Sequence, residues 1–476
     1  MSRLVRFLPY AVLIGLAAIS FDLTARGGAS VSPTGASEAS GKIEHVVIIF
    51  QENRTPDNLF RSDVLINRGA DIAMSGINSL GQTVPLSVID LGTSGQNPDN
   101  YDLGHGHWAF RVMYHKGAMD GADKITVSCL KNATNCPPPN PQFKYVNPND
   151  VEPYFALAEQ YTFADRMFQT NEGPSFPAHQ FIISGTSALT ATSPLFAAEN
   201  PIPQSPTGCI SPASGYTQLI DSSGVETSAY PCFEHPTLTD LLDAKGVSWR
   251  YYTPLAGYIW TGPNAIEHMC GPNATPPNAT ACVGPDWTGS DPKVVISKTQ
   301  VLTDIANSNL PQVSWVIPTG QASDHPESND GSGPSWVAAV VNAIGNSPYW
   351  ANTAIFITWD DWGGWYDHVP PPQVLKDCTE WGCGYVYGFR VPLIVVSPYA
   401  KAQYISHVTH DFGSILHFIE TTFGLPSLGY ADAYADDLSD CFNFGQAPIV
   451  FQTIDAPLKA DYFLNDKSTP TDPDDD

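Results

Sequence analysis

The sequence predicts an α/β fold: a mostly parallel central sheet flanked by helices, with long loop insertions. Short runs rich in β-branched residues recur along the chain and are mostly apolar, as strands buried on both faces are. The stretches between them return apolar residues at helical spacing. Segments rich in Pro, Gly and Asn interrupt this alternation and read as insertions on the frame. No internal repeat is present.

Strands are expected at 45–50, 313–317, 354–359 and 391–397, all as buried parallel strands. Helices are expected at 151–160, 237–244, 335–344 and 412–423, with Gly246 and Gly424 standing where helix stops belong. The insertions fall at 200–231 and 262–292, placed to roof a site.

Within 476 residues, 42% are hydrophobic and 15% charged, enough apolar material for one large catalytic domain. Forty-eight acidic against 22 basic residues leave a formal charge of −26, which argues against nucleic acid as a partner. Arg3 and Arg6 precede an apolar run over 7–19, the pattern of a cleaved secretory signal. The expected organisation is a signal peptide at 1–20, a flexible linker at 21–41, a catalytic domain at 42–465 and a disordered tail at 466–476. The product would be secreted or periplasmic, with no stable membrane anchor after cleavage. Nine cysteines suit that compartment. Cys129 with Cys136, Cys209 with Cys232, Cys270 with Cys282 and Cys378 with Cys383 are close in sequence, leaving Cys441 over.

Chemistry gathers where strands end. Gln51-Glu52-Asn53-Arg54 follows the first strand, and in open α/β sheets ligands bind at that edge. A later strand ends in Asp360 and Asp361, two adjacent carboxylates that are costly beside a core without a cation. Oxygen donors of this kind suit Mg²⁺, Ca²⁺ or Mn²⁺, and added histidine or alkoxide ligands would admit Zn²⁺ or Fe. Between the two lies Glu172-Gly173-Pro174-Ser175-Phe176-Pro177-Ala178-His179, read as a rigid turn carrying one hydroxyl. No Gly-x-Ser-x-Gly elbow surrounds Ser175, so metal activation fits better than a serine-esterase triad. His105, His325 and His368 each follow a polar turn, and an imidazole there can bind phosphoryl oxygen, protonate a leaving group or hold a metal.

The stretches VVIIFQENRTPDNLF, GPSFPAHQFIISGTS, SDHP, FITWDDWGGWYDHVPPP and GFRVPLIVVSPYA resemble, in order, a bacterial phosphoesterase family. That family contains the phospholipases C and related acid phosphatases, and the likeness runs from Ile43 to about Pro426. It implies an alkaline-phosphatase-like fold and one divalent metal held by Glu52, Asn53, Ser175, Asp360 and Asp361. Ser175 would be the nucleophile, and His105 (or His107) with His325 would contact phosphate or act as acids. Where many phospholipase-type members carry Asn-Arg, this chain has Ala178-His179. The expected substrate is therefore a small phosphomonoester ahead of a lipid phosphodiester, with a sulfatase-like hydrolase or a non-catalytic phosphate-binding or metal-binding protein ranked lower.

Overall fold

The computed structural model describes residues 39, 41–92, 101–131, 133, 136–374 and 380–470. The expected signal segment, nearly all of the linker, and 471–476 lie outside the described residues. Eight strands build the central sheet: β1 His45–Gln51, β2 Thr162–Ala164, β3 Trp249–Thr253, β4 Val294–Ile296, β5 Val313–Val316, β6 Thr353–Trp359, β7 Leu393–Val396 and β8 Tyr404–Ser406. Their spatial order is β4-β3-β5-β1-β6-β7-β2-β8. β4, β3, β5, β1 and β6 form a continuous parallel block, and β2 pairs parallel with β8.

β7 departs from the expected parallel direction and runs antiparallel to both β6 and β2. A wholly apolar run reports burial on both faces and carries no information about direction. After β6 the chain stays at the carboxyl edge, where the Thr358 hydroxyl donates to the Pro392 carbonyl at 2.9 Å. The strand that starts from there has to run back.

Among the described residues, six helices of eight or more residues flank the sheet or its edge: α1 His107–Tyr114, α2 Glu152–Gln160, α3 Ser175–Ser184, α4 Leu238–Lys245, α5 Gly333–Gly345 and α6 Phe412–Phe423. Register and ring contacts assign the faces. Phe50 meets Phe412 of α6 and His179 of α3, and Trp315, which pairs with Ile48, donates to the Ile182 carbonyl of α3. Trp359 pairs with Gln51, one position on and hence on the opposite face, and meets Tyr154 of α2. So α3 and α6 cover one face, while α2, against which α5 packs, covers the other. The expected stops hold: Gly246 (φ +75°) and Gly424 (φ +63°) close α4 and α6 in the left-handed conformation that glycine adopts without strain.

Disulfides join Cys129–Cys136, Cys209–Cys232 and Cys270–Cys282, and Cys441 is a buried free thiol. Cys383 is disulfide-bonded, and Cys378, its expected partner, lies outside the described residues. Among the described residues no helix is long and apolar enough to cross a membrane.

Candidate active site

Because β1, β5 and β6 are parallel neighbours, the segments leaving them emerge at one edge. Glu52 and Asn53 leave β1, Asp324 and His325 follow β5, and Asp360 and Asp361 leave β6. Asn53 has φ +59°, an uncommon conformation for a side chain other than glycine, and its N–H donates to Asp360 Oδ1 at 3.0 Å. Gly363 packs so closely that a Cβ there would lie 2.4 Å from the Asn53 carbonyl. The two loops thus lock each other, and backbone strain of this kind is characteristic of functional sites.

The segment read as a rigid turn is instead the start of α3. Ser175 is its first residue, and Pro174 and Pro177 fall at the cap and in the first turn, where a missing N–H costs nothing. Asn200, at the start of the first insertion, accepts from the Phe176 N–H at 2.8 Å. Ser175 is fully buried and its hydroxyl donates to Asp361 Oδ2 at 3.3 Å, while Asp361 Oδ1 accepts from the Gly363 N–H at 2.7 Å. The amino end of α3 adds the positive pole of a helix dipole, which favours an anion or a developing alkoxide.

Glu52, Asn53, Asp360 and Asp361 are all fully buried. Asp360 Oδ2 and Asn53 Oδ1 have no hydrogen-bond partner, a costly arrangement unless something else satisfies them. Ligating atoms of Glu52, His179 and Asp360 lie within 4.8 Å of one another. A buried carboxylate oxygen without a partner, with two further ligating atoms at such spacing, fits a divalent cation. His179 was not among the expected ligands. Its signal in the sequence was its position four residues after Ser175, one turn along the same helix face.

The structure brings His105 and His325 together, with ring centroids 6.3 Å apart and both residues buried. The Nδ1–H of His105 donates to the Leu103 carbonyl at 2.7 Å, so Nε2 of the neutral ring accepts from Asn53 Nδ2 at 3.2 Å. His325 makes a short contact from Nδ1 to the Pro326 carbonyl, which fixes the same tautomer. Trp260, just before the second insertion, packs on both His325 and His179. His107 turns away toward Glu172, its amide bound to Glu199, whose carboxyl is pushed up to about 7 by burial.

Beneath the site, Arg54 donates twice to the Asp324 carbonyl and stacks on Trp365. Burial pulls the Arg54 guanidinium down to about 10 and raises Asp324 to about 6, against the Arg54 charge and hydrogen bonds from Trp359 and Tyr154. These groups brace the loop that carries His325. His368 is not part of the site: its ring lies between Asp57 and Asp71, at 2.7 and 3.0 Å.

Several known proteins are similar to this chain. Phospholipase C B of Mycobacterium tuberculosis (strain ATCC 25618 / H37Rv) is 27% identical over 457 residues, covering 85% of this chain and 78% of that one. Non-hemolytic phospholipase C of Burkholderia pseudomallei (strain K96243) is 25% identical over 468 residues, covering 84% of this chain and 59% of its own length. Among solved structures, a protein in the alkaline phosphatase superfamily from Vibrio parahaemolyticus is similar at a TM-score of 0.35 and 12% identity, over 84% of this chain and 71% of that one. The model of the Phosphoesterase family matches residues 43–426. With that match running from the threshold of β1 to beyond α6, the chain belongs to the Phosphoesterase family and is a hydrolase of phosphate ester bonds.

Proposed function

We propose that this chain is a secreted, metal-dependent acid phosphatase in which Ser175 attacks phosphorus. The observation that carries the reading is the placement of Ser175 at the amino end of α3 with its hydroxyl on Asp361, inside the buried carboxylate cluster. Glu52, Asn53, Asp360 and Asp361, with Ser175, would hold one divalent cation. When bound, that cation supplies Lewis acidity, lowering the pKa of the serine hydroxyl and neutralising phosphoryl charge.

The chain's own residues supply the rest. Asp361 orients the Ser175 O–H, whose proton passes to that carboxylate or to water as in-line attack forms a phosphoserine and the ester oxygen departs. His325, when protonated on both nitrogens and with His105 beside it, donates from Nε2 to that oxygen, and water then releases phosphate from the serine. The complete burial of Ser175 and its neighbours favours a small phosphomonoester dianion over a bulky diester. A lipid phosphodiester is the second reading. The names of the relatives favour it, as does Trp108, which is 60% exposed three residues after His105. Export is supported by the disulfides.

The test compares kcat/KM for a nitrophenyl phosphomonoester and for phosphatidylcholine between about pH 4 and 8, with and without chelator, a span that brackets carboxylate and imidazole titrations. The monoester is expected to be preferred and the chelator to abolish turnover. A diester preference of about tenfold, ~1.4 kcal/mol in transition-state binding, would overturn the ranking.

A further inference from the structure

We propose that His179 supplies a nitrogen ligand to the cation of this site, making it a mixed nitrogen and oxygen centre that takes Zn²⁺ or Fe²⁺ in preference to Mg²⁺ and Ca²⁺. The proposal rests on the metal-dependent reading above and narrows the identity of the ion.

Three observations converge on the imidazole. It is fully buried, and its Nε2 lies 3.3 Å from Glu52 Oε1. One of its nitrogens is within 4.8 Å of ligating oxygens from both Glu52 and Asp360, and Asp360 Oδ2 has no hydrogen-bond partner. The ring's position is over-determined. His179 stands one helical turn after Ser175, so both side chains face the same way. Trp260 stacks on one side of the ring at 6.5 Å between centroids, and Phe50 packs at 5.9 Å. Gly262 approaches the backbone so closely that a Cβ there would sit 2.5 Å from the His179 carbonyl, which packs the second insertion tightly against this turn of α3.

A carboxylate and amide set alone is a hard-cation site. One imidazole among them shifts the preference toward borderline transition metals, for which nitrogen is a better donor than for Mg²⁺ or Ca²⁺. The rival role is positioning: His179 donating a hydrogen bond to Glu52 and never touching the ion.

The full-length protein is stripped of metal and reloaded with Mn²⁺ alone, and electron spin-echo spectra are recorded on natural-abundance and ¹⁵N-histidine-labelled samples. A directly coordinated histidine nitrogen is expected, and it should vanish in His179→Gln. In parallel, Zn²⁺ affinity of His179→Gln should fall by about 100-fold or more, at or beyond the ~10- to 100-fold that loss of an outer partner produces, with Mg²⁺ affinity far less changed. Bound Mn²⁺ with no coordinated histidine nitrogen would overturn the His179 assignment and leave the metal-dependent reading intact. So would a nitrogen signal that persists in His179→Gln. Failure of the wild-type protein to bind any divalent ion would overturn both. Where His179→Gln is poorly folded, His105→Gln and His325→Gln decide the question, because the nitrogen signal should persist in both.

Discussion

Two regions of this molecule gather the same residue types and use them in opposite ways. Glu52, His179 and Asp360 form one compact group, and Asp57, Asp367 and His368 form another. The second carries its own cation. Arg390, fully buried, donates to both oxygens of Asp367 and to Asp57 Oδ1, and its remaining N–H groups reach the Asp71 and Asp165 carbonyls. Both His368 nitrogens face carboxylates, which hold the imidazole up at about 9 despite burial. Neither Asp57 nor Asp367 leaves an oxygen without a partner, whereas Asp360 and Asn53 each do. Buried acids require compensation. In the second cluster the chain provides it, as a brace does; in the first, an oxygen is left over among atoms at ligand spacing, as a receptor would leave it.

The largest expected effect follows from placing Ser175 in the receptor. Ser175→Ala should lower turnover of nitrophenyl phosphate by ~10⁴ or more, as removal of a nucleophile does, with unchanged melting of the metal-free protein. Activity near wild type in that variant ends the serine mechanism. His325→Asn comes next, costing ~10² to 10⁴ on an alkyl phosphate and less on nitrophenyl phosphate, whose leaving group needs little protonation. Equal losses on both substrates would make His325 a binding residue.

Matched substitutions then test the comparison itself. Asp360→Asn should release metal in equilibrium dialysis without destabilising the metal-free protein. Arg390→Met should retain metal and cost about 3–5 kcal/mol, because it strips a buried pair of one partner. Exchange of those two outcomes would break the distinction between brace and receptor.

The smallest effect is a pH trend in the metal-free protein. Burial raises Asp324 and Asp367 to about 6, Asp411 to about 7 and Glu420 to about 8. Carboxylate partners raise His368 to about 9, and Asp436 leads those that raise His410 to about 10, in both cases against desolvation. Each contributes stability that is complete below its ordinary pKa and is lost as pH rises through the raised one. The melting temperature should therefore be several degrees higher at pH 5 than at pH 8. A higher value at pH 8 would show that these groups do not set the pH response.

The sequence made β1, β5 and β6 legible because parallel strands buried on both faces have to be mostly apolar. It concealed β3, whose Trp249-Arg250-Tyr251-Tyr252-Thr253 mixes polar and aromatic residues. It also concealed the direction of β7, which depends on where the preceding chain returns. In the site, Glu52 and the aspartate pair could be read from their place after apolar strands. His179 could not, because Pro174 and Pro177 disguised a helix start as a turn, and without a helix the four-residue spacing from Ser175 has no geometric meaning. His105 and His325 were legible as types, but their mutual contact depends on loops that no local pattern fixes.

The helix that carries Ser175 and His179 is buried at all ten of its residues. A helix wetted on one face can fray or tilt while the rest of a protein stays folded, but this one is gripped from every side, so displacing it means opening the core. Thermal inactivation and global unfolding should therefore coincide. Heated protein would pass directly from active to unfolded, and residual activity after a heat pulse that leaves no time for refolding would count the molecules that had stayed folded.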